Sequence, residues 1–196
     1  YAYDDAFSPV QPVGGPFLAW VACHNAGHFA AARQALEAGW HVVVEKPLAL
    51  CADDARALAM LAESRDLLLA ESLPWLHHSA VRDTLDEAPE RLELRFTFPR
   101  LPADNYRHDP DLGGGALFDL GPYVASAALG LCGWPWRSVS VGAQCVGDDR
   151  APSRLQATVT GAPRESDAPA PSVTAWMGWG DDLTYTNRLV AHATDG

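Results

Sequence analysis

Long apolar runs are missing from this chain. No stretch reaches the eighteen or so apolar residues that a membrane-spanning helix needs, which excludes a membrane partner of that kind. The opening YAYDDAFSPVQPVGG has neither the basic nor the apolar region of a secretory leader, so a soluble, cytoplasmic protein is expected. Basic residues are scarce, 14 Lys and Arg against 25 Asp and Glu, for a net charge of -11. The acidic residues are scattered and form no tail, which favours solubility and excludes nucleic acid as a partner. Cysteine is sparse too: Cys23, Cys51, Cys132 and Cys145 lie far apart with no C-x-x-C pair, so the expectation is reduced, mostly buried thiols and no disulfide framework. No histidine spacing points to a metal. His77 and His78 are adjacent and point apart on any regular element, and hydrolysis at a metal held by Cys23, His24, His28 and His77 would need ligands with no recognised spacing. Also missing is a G-x-G-x-x-G turn after any strand, with the charged residue about twenty positions on that grips the adenosine ribose, so a dinucleotide pyrophosphate finds no cradle.

What the chain does have is enough apolar material, 48% of 196 residues, for one good core or two small ones. Residues 1–16 read as an irregular lead-in. FLAWVAC, 17–23, is a continuous apolar run of strand length, of the sort buried on both faces of a parallel sheet. A helix over about 26–38 keeps Phe29, Ala32 and Leu36 on one face and stops at Gly39. HVVVE, 41–45, is a second strand. A second helix, 52–65, carries Asp53 and Asp54 in its first turn, where the helix dipole favours anions, and LLLAES, 67–72, is a third strand. This β-α-β-α-β rhythm predicts a parallel, doubly wound, Rossmann-like sheet, of which three strands are half.

After Pro74 the rhythm changes. RLELRFTF, 91–98, alternates charged and apolar residues as a half-exposed strand does. Residues 115–131 form a helix interrupted near its start by Gly121-Pro122. Four strand-like runs follow, with a flexible loop over 162–172. The fold class expected is therefore α/β plus α+β: a partial Rossmann-like parallel sheet in residues 1–73, then a mainly antiparallel sheet domain with a packed helix in residues 74–196.

Two stretches carry chemistry. Glu45-Lys46-Pro47 falls at the carboxyl end of a buried parallel strand, where open α/β sheets bind ligands, although a surface lysine closing a strand fits the same pattern. In GGGALFDLGPY, three glycines permit close backbone approach, and Asp119 and Tyr123 lie four apart on one helix face. A lysine ammonium near that phenol would favour its ionised form and ease proton exchange with a sugar hydroxyl or ketone. A glycine turn with Tyr123 as core filler is the plainer alternative.

Taken in order, CHNAGHFAAARQALEAGWHVVVEKPLAL and NYRHDPDLGGGALFDLGPY resemble the glucose-fructose oxidoreductase/inositol dehydrogenase (Gfo/Idh/MocA) family from Phe17 onward. The resemblance implies an NAD- or NADP-dependent oxidoreductase acting on a sugar or nucleotide keto-sugar. It implies a Lys-Pro bond that is commonly cis, Lys46 assisting catalysis and touching substrate and nicotinamide ribose, Tyr123 as acid/base in place of the commoner His, and Asp119 orienting substrate. Asn25, His28, Glu45 and Pro47 match cofactor-side positions, although Cys23 and His24 depart from the family's T-P-N-x-x-H stretch, and Arg107 would meet a substrate hydroxyl or phosphate. Tyr123 with Asn105-Tyr106-Arg107 resembles the branch holding glucose-fructose oxidoreductase and the nucleotide-sugar 3-ketoreductases of deoxysugar pathways. Homo-oligomers are expected on the same ground. The competing reading is a degenerate relative that cannot bind the dinucleotide and serves in assembly, with Trp134, Trp136, Trp176 and Trp179 supplying an apolar face or simply filling the core.

Overall fold

The computed structural model describes residues 15–165 and 168–193. Most of the lead-in expected over 1–16 and part of the loop expected over 162–172 thus lie outside the described residues. The chain divides into two compact units between Ser72 and Leu73. Among the described residues no helix is long and apolar enough to cross a membrane.

The first unit is built on three parallel strands, β1 (Leu18–Val21), β2 (His41–Glu45) and β3 (Leu69–Ser72), in the order β1-β2-β3. Helix α1 (His28–Glu37) follows a short 3-10 turn over Asn25–Gly27, and α2 (Ala52–Ser64) is capped at its start by the Cys51 side chain, which accepts from the Asp54 N–H. The core joins Ala19, Val21, Val42 and Val44 of the sheet to Ala32, Ala35 and Leu36 of α1 and Leu58 and Ala62 of α2. Both helices therefore cover one face. Successive strands laid down in one direction by crossovers of one hand put every helix on the same side, and winding on the second face needs a reversal of strand order. Among the described residues nothing covers the other face of β1, whose unbroken apolar run suggested burial on both: Leu18 and Trp20 are 62% and 63% exposed.

The second unit carries a five-stranded sheet in the order β5-β6-β7-β4-β8, from β4 (Arg91–Phe98), β5 (Ser138–Gln144), β6 (Arg154–Thr160), β7 (Ser172–Trp179) and β8 (Thr186–His192). Three of its pairings are antiparallel, but β4 and β7 run parallel, with Leu92 opposite Val173 and Phe96 opposite Met177. A parallel partner requires a crossover, and α4 (Ala116–Cys132), between β4 and β5, supplies it. Ala116, Leu120, Val124, Ala127, Ala128 and Leu131 of α4 pack on Leu92, Leu155, Val173, Met177 and Trp179 of the sheet. A short helix, α3 (Ser79–Asp86), also packs on α4.

Helix α4 is continuous through Pro122 and not interrupted there. Proline costs the helix one N–H donor, the one that would reach the Phe118 carbonyl, and one turn further on the Ser126 hydroxyl donates to the Pro122 carbonyl at 2.6 Å. The tryptophans divide. Trp179 is fully buried and stacks on Phe98, whereas Trp134 is 74% exposed. The thiols are all free, as expected, but not mostly buried: Cys51 and Cys145 are exposed and Cys23 and Cys132 half-buried. Cys51 serves as a helix cap and Cys145 follows an edge strand, so neither is drawn into a core.

Candidate functional site

In the first unit, the loops leaving β1, β2 and β3 gather polar groups at the carboxyl end of the sheet. Asn25 and His28 are buried, Glu45 closes β2 and is half-buried, Lys46 follows it half-buried, and the Lys46-Pro47 bond is cis. His28, fully buried at the start of α1, lies with Nδ1 2.7 Å from the Pro47 carbonyl and Nε2 3.1 Å from that of Cys23. Both partners are carbonyls, so a neutral ring donates to one of them at a time: with the proton on Nδ1 His28 holds the turn after β2, and with it on Nε2 the turn after β1.

A residue that sequence reasoning passed over sits beside them. Glu71, next to last in β3, accepts the Leu48 N–H through Oε1 at 3.1 Å. Burial pushes its carboxyl above the ordinary glutamate range, while the Leu48 N–H and the charges of His28 and Lys46 pull the other way. The position was open to inference, since a lone carboxylate at the carboxyl end of an apolar parallel strand obeys the rule that singles out Lys46.

In the second unit, the 105–115 loop folds back on the start of α4. Asn105 accepts the Arg107 N–H at 3.1 Å, and the N–H groups of Gly114 and Gly115 reach the carbonyls of Asp109 and Arg107, both at 2.9 Å. Gly114 lies so close to this loop that a Cβ there would fall 2.6 Å from the carbonyl oxygens of Tyr106, Arg107 and Asp109. Gly115, at φ 107°, adopts a backbone closed to most L-residues. The close approach that the glycines permit is therefore to the chain's own loop, and it brings Arg107 to Asp119: Nε donates to Oδ2 at 2.8 Å, with the Asp119 side chain 5% exposed.

Burial works against the Arg107 charge, yet Asp119, with Tyr106 and Tyr123 adding to it, holds the guanidinium above its usual range. A cation whose charge reaches Tyr123 is thus supplied from within this unit, a role sequence reasoning gave to a lysine. One turn beyond Asp119, the Tyr123 ring meets Trp75 and Phe96 edge-on, at centroid distances of 5.9 and 6.1 Å. Trp75 is held in turn by Nε1 donating to Ser126 Oγ at 3.1 Å. Trp75, His78, Phe96, Tyr123, Met177 and Arg188 line a cavity of about 480 Å³. His77 and His78 are both exposed. Among the described residues no three His, Cys, Asp or Glu side chains are grouped to hold a metal.

Replacing Arg107 with alanine leaves the Asp119 carboxylate buried without its ion pair. A loss of about 2–3 kcal/mol in unfolding free energy is expected, read from the denaturant midpoint, with Arg107→Lys recovering part of it.

Residues 5–72 match the oxidoreductase family with an NAD-binding Rossmann fold, and residues 88–196 match the GFO/IDH/MocA C-terminal domain. The chain belongs to the Gfo/Idh/MocA family. It is 45% identical over 107 residues to a dTDP-3,4-didehydro-2,6-dideoxy-alpha-D-glucose 3-reductase of Streptomyces violaceoruber, a match covering 50% of this chain and 31% of that one. The Saccharopolyspora spinosa enzyme of the same name is 46% identical over 103 residues, 48% of this chain and 31% of the relative. Among solved structures, KijD10, a 3-ketoreductase from Actinomadura kijaniata in complex with NADP and TDP-benzene, is 31% identical with a TM-score of 0.75, covering 91% of this chain and 55% of that one. The match thus spans about a third of the curated reductases' length and about half of the KijD10 chain.

Proposed function

We propose that the protein is an NAD- or NADP-dependent oxidoreductase acting on a keto group of a sugar, of the nucleotide-linked kind that its relatives' names describe. The observation that carries this reading is the Arg107–Asp119 pair one helical turn from Tyr123, within reach of the Arg107 charge. Residues 1–73 would take the cofactor side and residues 74–196 the substrate and the subunit contacts of a homo-oligomer.

The first unit fits the nicotinamide half of a cofactor. Three parallel strand ends converge there, and His24 Nδ1 is buried in the turn after β1 without a partner. Asn25, Glu45, Lys46 and Pro47 would hold that half, with His28 behind them. No glycine turn of the pyrophosphate-binding kind occurs among the described residues. A nicotinamide cofactor, when bound, supplies the hydride. The phenolic hydrogen of Tyr123 then goes to the sugar oxygen, completing the hydroxyl, and the reverse transfer removes it in oxidation. Lys46 would assist through its ammonium, the role that the family resemblance implies. Asp119 orients the sugar, and Arg107, a fork of donors, both fixes Asp119 and meets a substrate hydroxyl or phosphate.

Calorimetric titration of the chain with NADPH and then NADH tests the cofactor claim. Binding of one of them supports the reading. No heat with either favours a family member that works in assembly without cofactor. In turnover with a nucleotide keto-sugar, Lys46→Ala is expected to lose about a hundredfold, and a loss of only a few-fold would remove Lys46 from the chemistry.

A further inference from the structure

The turn Lys46-Pro47-Leu48 is the one segment of the first unit from which catalysis is proposed, and its backbone is gripped on both sides by side chains from neighbouring elements. From α1, the buried His28 ring reaches the Pro47 carbonyl, Nδ1 to oxygen 2.7 Å. From β3, the Glu71 carboxylate accepts the Leu48 N–H at 3.1 Å. The two contacts engage consecutive residues, one at a carbonyl and the other at an N–H. We propose that Glu71 is a positioning residue for Lys46, closing with His28 a two-sided clamp that fixes the turn and hence the direction in which the lysine leaves the sheet. The proposal rests on the catalytic role given to Lys46 above.

Strand register explains why Glu71 can do this. Val44 pairs with Glu71 and Glu45 with Ser72, so β3 runs alongside β2 up to the residue at which the turn begins. A side chain leaving β3 there reaches the Leu48 N–H, four residues beyond its Val44 partner, with no loop of its own to order. A shorter side chain would leave the Leu48 N–H unmet, and an apolar one would leave it unmet in a partly buried setting, where a lost partner is costly. Glu71 is also unlike its strand: Leu67, Leu68, Leu69 and Ala70 precede it, and its carboxyl stays half-buried where burial disfavours its charge. A group kept against that bias, with a backbone N–H as its partner, has a local task. The Lys46 and His28 charges lie near enough to be felt at Glu71, so the acceptor, the turn and the lysine form one electrostatic neighbourhood.

The clamp separates hydrogen bonding from charge, and this makes it testable. Glutamine keeps an oxygen that can accept the Leu48 N–H and removes the charge, whereas alanine removes both. In the full-length protein, Glu71→Ala is expected to lower kcat by about tenfold or more with KM for the nicotinamide cofactor little changed, and Glu71→Gln to stay within about threefold of the parent. A purely structural role would lower the melting temperature of Glu71→Ala without changing kcat per folded molecule, and that result overturns the proposal. So does Glu71→Gln as slow as Glu71→Ala, because the charge and not the hydrogen bond would then matter. A second measurement needs no turnover: with leucine amides labelled by 15N, the Leu48 signal should move as Glu71 titrates and lose that movement in Glu71→Gln. A Leu48 signal indifferent to pH in the parent also overturns the clamp. Lys46→Ala run alongside tells the two claims apart. If it leaves turnover unaltered, the catalytic reading of Lys46 fails, while the Leu48 amide still decides whether Glu71 holds the turn.

Discussion

Tyr123→Phe should lower kcat on a nucleotide keto-sugar by about a hundredfold or more while leaving the protein folded, because the substitution removes the proton donor and keeps the ring. The ring is held by its edges against Trp75 and Phe96, contacts a phenylalanine ring can make unchanged. Trp75 is fixed independently through Ser126, and Ser126 through the carbonyl of Pro122, so the cage does not rest on the phenolic oxygen. The melting temperature and the affinity for NADPH should therefore stay close to the parent's. Activity falling less than tenfold would return Tyr123 to the status of core filler, and a large fall in melting temperature would show that its hydroxyl supports the fold.

Gly114→Ala is expected to destabilise the protein strongly. The added carbon would meet three carbonyl oxygens at 2.6 Å, all of them backbone, which cannot swing aside as the end of a flexible side chain can. The 105–115 loop must then lift from the start of α4, breaking the Gly114 and Gly115 hydrogen bonds to it and withdrawing Arg107 from Asp119. Overpacking against rigid backbone, combined with those losses, should cost about 3 kcal/mol or more, a fall in Tm of roughly 10 °C in a thermal scan. Asp119 would lose its partner as well, so activity should fall in the molecules that remain folded. A stable Gly114→Ala protein would mean that the loop is not seated on the helix as described.

Much of the fold was legible because its elements are punctuated. HVVVE and RLELRFTF match β2 and β4 residue for residue, each ending just before a proline or a proline-bearing turn that cannot continue a sheet. Less legible was what each element meets. FLAWVAC is apolar throughout, yet its burial depended on where the two helices fell, and that follows from strand order. Alternation identified β4 and β7 as strands without revealing that they run parallel. At the site, the residue types and their order singled out Lys46, Asp119 and Tyr123, but not what surrounds them. Arg107 and Asp119 are brought together by a glycine turn whose geometry no spacing rule describes, and Glu71 acts across a strand pairing that the sequence does not announce.

The strand order also sets a timetable for synthesis. Among the described residues, each pairing in the first unit joins strands that follow one another, so each of these strands meets its partner soon after it leaves the ribosome. The second sheet cannot close in that manner. Its β4, complete at Phe98, must wait for β7 on one side and β8 on the other, with Leu92 opposite Val173 and Ala191. Until those residues emerge, β4 has both edges open and its alternate Leu92 and Leu94 uncovered, the state in which a strand is most prone to pair with the wrong neighbour. Its flanking charges, Arg91, Glu93 and Arg95, stand on the face that stays wet and would keep the waiting strand in solution.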